Sequence, residues 1–130
     1  MLDVIDETYV VAPVERVRRL LCDEQAAALH VPGLLLVCVE DRGAKGRRWE
    51  LGGALRGTAE MWLEPVSDGV LVHAYLRADP TRTRRFARLR PDDDAAALRR
   101  RYARPLKRWV LSVKDQLEAG RLPGEPRPLE

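Results

Sequence analysis

Thr58-Ala59-Glu60-Met61-Trp62-Leu63-Glu64, then Ser67-Asp68-Gly69, then Val70-Leu71-Val72-His73-Ala74-Tyr75-Leu76-Arg77-Ala78 decide the fold. Both long segments alternate, the first with Ala59, Met61 and Leu63 against Thr58, Glu60, Trp62 and Glu64. A period of two is a strand signature, and Ser-Asp-Gly between two such runs is a hairpin turn. The second strand sets Val70, Val72, Ala74 and Leu76 on one face and Leu71, His73, Tyr75 and Arg77 on the other. Its first face is the more apolar, but alternation alone does not say which face looks inward.

Upstream, Arg47 to Gly53 alternates as well, with Trp49 and Leu51 sharing a face. Leu55-Arg56-Gly57 reads as a bend or bulge before the next strand, and Gly52-Gly53 likewise reads as a bulge or bend. Leu34 to Glu40 is an apolar strand, joined to its neighbour by a charged, Gly-rich turn over 41–46. Residues 2–11 are rich in β-branched residues and form the first strand. Pro13 then starts a short helix to Leu21, and Asp23 caps a second one from Glu24 to Leu29.

Downstream, 79–91 is an Arg-rich connector, and Asp92-Asp93-Asp94 offers a helix cap. Leu98, Tyr102, Leu106, Trp109, Val110, Val113 and Leu117 recur every three or four residues, so one long helix covers about 93–119. Pro105 should kink or split it. Gly120 is a suitable stop, and 121–130 reads as a flexible tail after a single domain over 1–120. The order predicts an α+β fold, with an antiparallel sheet wrapped around a long C-terminal helix. One helix cannot cover the whole sheet face, so a cavity is expected between them.

The chain has 130 residues, 45% hydrophobic and 33% charged, which suits one globular domain and excludes global disorder. No apolar run is long enough to span a bilayer, and the acidic N-terminus lacks a signal-peptide pattern, so a cytoplasmic location is expected. Residues 1–81 hold 9 Lys or Arg against 13 Asp or Glu, whereas 82–108 hold 11 against 3. That basic segment suits an acidic partner such as nucleic acid or an anionic membrane. Yet 20 of the 23 basic residues are Arg, as expected where Arg is simply the default surface cation. Cys22 and Cys38 are too few and too isolated for zinc, and both read as small buried apolar residues. No metal or cofactor motif occurs, and nothing suggests a phosphate loop or a nucleophile elbow.

Three stretches carry a family resemblance. They are the strand-to-helix junction Ala12-Pro13-Val14-Glu15-Arg16-Val17, the hairpin Gly57 to Pro65 with Asp68-Gly69, and the closing helix Trp109 to Glu118. Together they resemble the START-like superfamily, also called SRPBCC, and most closely its actinobacterial polyketide cyclase/dehydrase-like branch. The resemblance implies a helix-grip fold of six or seven strands, against the five counted here. It also implies a cavity for a lipid- or polyketide-like molecule, without metal.

His73 and Glu60 are the candidate catalytic residues, as a base and an acid. The alternative for Glu60 is a cross-strand pair with Arg48 or Arg77. Trp62, Tyr75, Trp49, Trp109, Tyr102, Val113 and Thr58 are candidate ligand contacts, aromatic walls being apolar surfaces with polar tips. Asp6 or Glu7 must point inward, where a buried salt bridge explains it as well as catalysis does. His30 is expected on the surface. Binding of a small apolar ligand is the leading reading, with a cyclase or dehydratase and a basic interaction module as alternatives. The chain is expected to be a monomer or a homodimer through an edge strand.

Overall fold

A computed structural model describes residues 1–81 and 95–120. The elements are β1 (Leu2–Val10), α1 (Val14–Leu21), α2 (Glu24–His30), β2 (Leu34–Asp41), β3 (Gly46–Gly53), β4 (Leu55–Val66), β5 (Gly69–Pro80) and α3 (Ala95–Leu117). A single turn of 3₁₀ helix, Gly43–Lys45, joins β2 to β3. The five strands form one antiparallel sheet in the order β1-β5-β4-β3-β2. Thus β1 and β2, which flank the two short helices in sequence, are its two edges. No helix among the described residues is long and apolar enough to cross a membrane.

Alternation resolves into an inner and an outer face. On β5, Val70, Val72, Ala74, Leu76 and Ala78 are buried; on β4, so are Met61 and Leu63. They meet the stripe Tyr102, Leu106, Trp109, Val110, Val113 and Leu117 of α3. The more apolar face turns inward because only there does the sheet lose water. Asp23 caps α2 as expected, accepting from the N–H groups of Gln25 and Ala26. Pro13 stands just ahead of α1 as its N-cap rather than as its first residue.

Several expectations change. Leu55 to Gly57 is part of β4 and not a break in it, so β4 runs twelve residues. The bend falls at Gly53, whose φ is 79°, and Ala54, in keeping with the bend read at Gly52-Gly53. Pro105 does not split α3, which continues from Ala95 to Leu117. Cys22 is buried, but Cys38 is exposed, because β2 is an edge strand with nothing beyond it among the described residues. The cap expected at Asp92 to Asp94, the connector up to residue 91 from residue 82, and the tail over 121–130 lie outside the described residues.

Inward acid is neutralised by an ion pair, as one reading of the sequence allowed. Asp6 is the inward member of the pair and lies 3.0 Å from Lys107 Nζ of α3, while Glu7 points outward. Lys107 also donates to Thr8 Oγ1 at 2.7 Å.

Gly46 opens β3 with φ at 113°, and a Cβ there would overlap the main-chain carbonyl of Met61 on β4. Gly43, with φ at 60°, has open space around it. Gly46→Ala is therefore expected to cost about 2 kcal/mol or more and Gly43→Ala about 1 kcal/mol, read from urea melts. Equal losses would show that the close approach to β4 is not what demands glycine.

Candidate ligand cavity between sheet and helix

A cavity of about 40 Å³ lies between the inner sheet face and α3. Its floor is Ala59, Met61, Ala74 and Leu76, where two alanines leave room. Trp49 and Leu51 of β3 and Leu34 and Leu36 of β2 form one wall. Ala27 and Val31, from and just after α2, close the end, and Tyr102, Leu106 and Trp109 of α3 form the roof. Nearly every lining group is a carbon surface. At this size the space holds only a few waters, well below the ~300 Å³ or more of a typical ligand pocket.

Polar groups near it are few and mostly paired. Trp49 Nε1 donates to Glu24 Oε1 at 2.8 Å, and the same oxygen receives Arg47 Nη1 at 2.8 Å. Arg47 also reaches Asp41, which Arg18 grips through two bonds of 2.6 and 2.8 Å. This belt ties α1, α2, β2 and β3 together at one end of the cavity. Burial pushes the Glu24 carboxyl up, but the hydrogen bonds from Trp49 and Arg47 outweigh it and hold the group below its usual range. The Arg18 guanidinium, with the Gly43 N–H and Arg47, holds Asp41 well below the usual carboxylate range.

Both folded-state shifts are downward. The stability they contribute is present above the unfolded carboxylate range near ~4 and is lost as pH falls below it. The melting temperature is expected to drop through that acid window. A Glu24→Gln/Asp41→Asn variant should show a shallower drop in the same melts. Parallel acid profiles for the two proteins would contradict it.

Tyr102 forms part of the roof of the cavity. Burial raises its pKa, so it stays protonated and able to donate. No hydrogen bond from it to another described residue occurs. Trp109 is buried between the cavity and His30, whose ring stacks on it with centroids 5.4 Å apart. His30 is exposed as expected, but its ring joins the end of α2 to α3, a contact the sequence did not suggest.

The other expected site residues lie elsewhere. His73, Trp62, Tyr75, Glu60 and Thr58 belong to the outer sheet face, because their neighbours Ala59, Met61, Ala74 and Leu76 took the inner one. Glu60 and Tyr75 also border the cavity, while their side chains engage Arg42 and the His73 ring. Glu60 pairs with Arg42 from the β2–β3 turn, and not with Arg48 or Arg77. Val113 is buried in the core but does not line the cavity. Of the expected contacts, Trp49, Trp109, Tyr102 and Tyr75 border the cavity.

On the outer face, His73 stacks on Trp62 at 4.1 Å and lies parallel to Tyr75 at 6.2 Å. Its Nε2 is 3.0 Å from Glu64 Oε1, and its Nδ1 is 3.9 Å from Glu7 without a hydrogen bond. Burial, then the nearby Glu7, Glu60 and Glu64, raises the Tyr75 phenol, which keeps it protonated. Among the described residues, no group of three or more His, Cys, Asp or Glu side chains could hold a metal ion.

This arrangement of an antiparallel sheet with a long C-terminal helix against its inner face is similar to known structures. DR_A0006 from Deinococcus radiodurans is similar with a TM-score of 0.65 and 14% identity, covering 92% of this chain and 99% of that one. The chain has the helix-grip fold. The Aha1 dimer from Colwellia psychrerythraea gives a TM-score of 0.62 at 14% identity, covering 94% and 100%. The Zhui aromatase/cyclase from Streptomyces sp. R1128 gives 0.50 at 12% identity, covering 92% and 97%. No protein-family model and no curated protein sequence matches the chain. The sheet has five strands, as counted from the sequence, rather than the six or seven that the resemblance implied.

Proposed function

We propose that this helix-grip domain binds a small apolar or aromatic molecule, lipid- or polyketide-like, between sheet and α3. The observation that carries this reading is the cavity wall: carbon surface from six elements, including the rings of Trp49, Tyr102 and Trp109. Such a wall binds by apolar area, with the Tyr102 hydroxyl assigned as an orienting contact. Trp49, Trp109 and Tyr102 are the contacts we assign to the ligand. The likeness to an aromatase/cyclase supports a ligand of that class.

The present space is too small for such a molecule, so binding must widen it. The short helix α2 is the element best placed to give way. It meets α3 through the His30–Trp109 stack, and it is only seven residues long.

A cyclase or dehydratase would need acid and base groups inside the cavity. Glu60, His73 and Tyr75 face the opposite side of the sheet, so the binding reading is favoured. The basic-module alternative rests on 82–108, much of which lies outside the described residues.

Native mass spectrometry of freshly purified protein, followed by organic extraction, tests the proposal. A co-purifying apolar molecule of defined mass is the expected result. A bare chain that also fails to take up added fatty acids and polycyclic phenols would overturn it.

A further inference from the structure

The two sheet edges are treated very differently. At β1, side chains of α3 reach the main chain: Lys114 Nζ donates to the Tyr9 carbonyl at 2.7 Å and Arg99 Nε to that of Asp3 at 3.3 Å. Charged groups on an edge strand block further pairing. At β2, no described residue outside β3 bonds to the main chain of 34–39. Its outward row is Leu35, Val37 and Val39, exposed by 66, 63 and 52%. An edge this apolar, free of Lys and Pro, is a template for another strand.

We propose that β2 is the surface on which a second copy of this chain docks, strand to strand and antiparallel. The occupant follows from charge and pattern. Residues 34–39 are Leu-Leu-Leu-Val-Cys-Val, and the acids Glu40 and Asp41 come only at the C-terminal end. Parallel pairing would set acid against acid. Antiparallel pairing centred on Val37 sets Val37 against its own copy and Leu35 against Val39. It also places Glu40 opposite Leu34, away from the other copy's acids. The register shift between Cys38 and Glu40 falls at Val39, the last residue of the usable edge.

Three apolar side chains and a paired main chain from each copy would leave water, on the order of 1,000 Å² in total. That sits at the lower end of specific interfaces and suits a micromolar dimer. The product is a continuous ten-stranded sheet. Leu34 and Leu36 of the same strand line the cavity, so a docked copy would also brace that wall.

Sedimentation equilibrium from 1 to 100 µM reads the mass against 14.7 kDa for one chain. A dimer is expected, with Val37→Lys weakening it at least tenfold and Val66→Lys, an exposed site on β4, leaving it unchanged. Val37→Cys on a Cys38→Ser background should form an intermolecular disulfide under copper-phenanthroline, because directly opposed Cβ atoms lie about 4.5–5.5 Å apart. That cross-link decides the matter if Val37→Lys fails to fold. A monomer at 100 µM, a dimer indifferent to Val37→Lys, or no cross-link at Val37→Cys would overturn the proposal.

Discussion

Trp109→Ala is expected to remove about 3–5 kcal/mol of stability, the cost of truncating a large buried ring. The ring is 4% exposed, roofs the cavity from α3 and carries the His30 stack on its other side. Losing it removes apolar burial, enlarges a void and frees α2 from α3 in one step. Domains of this kind hold only ~5–15 kcal/mol in all, so the variant should stand close to unfolding at 37 °C. Urea denaturation measures it directly. Trp62→Ala is the control: that ring is 36% exposed on the outer face and should cost clearly less. Equal losses at the two positions would mean that the sheet–helix interface is not the core of the fold.

Ala59→Leu is expected to abolish ligand uptake while leaving the fold nearly intact. Ala59 is on the floor, only partly buried, and packs at the margin of the core where it lines the cavity. Three added carbons would occupy much of the room a ligand needs. Filling an existing void avoids most of the ~1–3 kcal/mol strain of overpacking a tight core. Affinity for an apolar ligand should fall at least tenfold while the urea midpoint moves little. A variant that melts as the wild type and binds as the wild type would place the ligand elsewhere.

How far this site is legible in the sequence depends on the residue. The hairpin β4–β5 and its two faces follow from strict alternation, and apolarity settles which face is inner. That rule also sets the side chains of Glu60, His73, Tyr75 and Trp62 on the outer face, although Glu60 and Tyr75 still border the cavity. They alternate with Ala59, Met61, Ala74 and Leu76, and the sheet can bury only one set. Trp49, Trp109 and Tyr102 were legible because an aromatic at strand or helix period on an apolar face has one place to go. The exposure of Cys38 was not, since an apolar strand reads alike at the centre and at the edge of a sheet, and strand order is a property of the whole chain. The Glu60–Arg42 pair needed the β2–β3 turn to fold back over β4. The His30–Trp109 stack joins residues 79 positions apart, with no local pattern to announce it.

The most direct test of the cavity as the ligand site is native mass spectrometry on three proteins prepared in parallel: wild type, Ala59→Leu and Trp62→Ala. The cavity account predicts the same apolar adduct on wild type and Trp62→Ala, and its loss from Ala59→Leu. An adduct that survives Ala59→Leu and disappears with Trp62→Ala would contradict it and move the site to the outer face of the sheet.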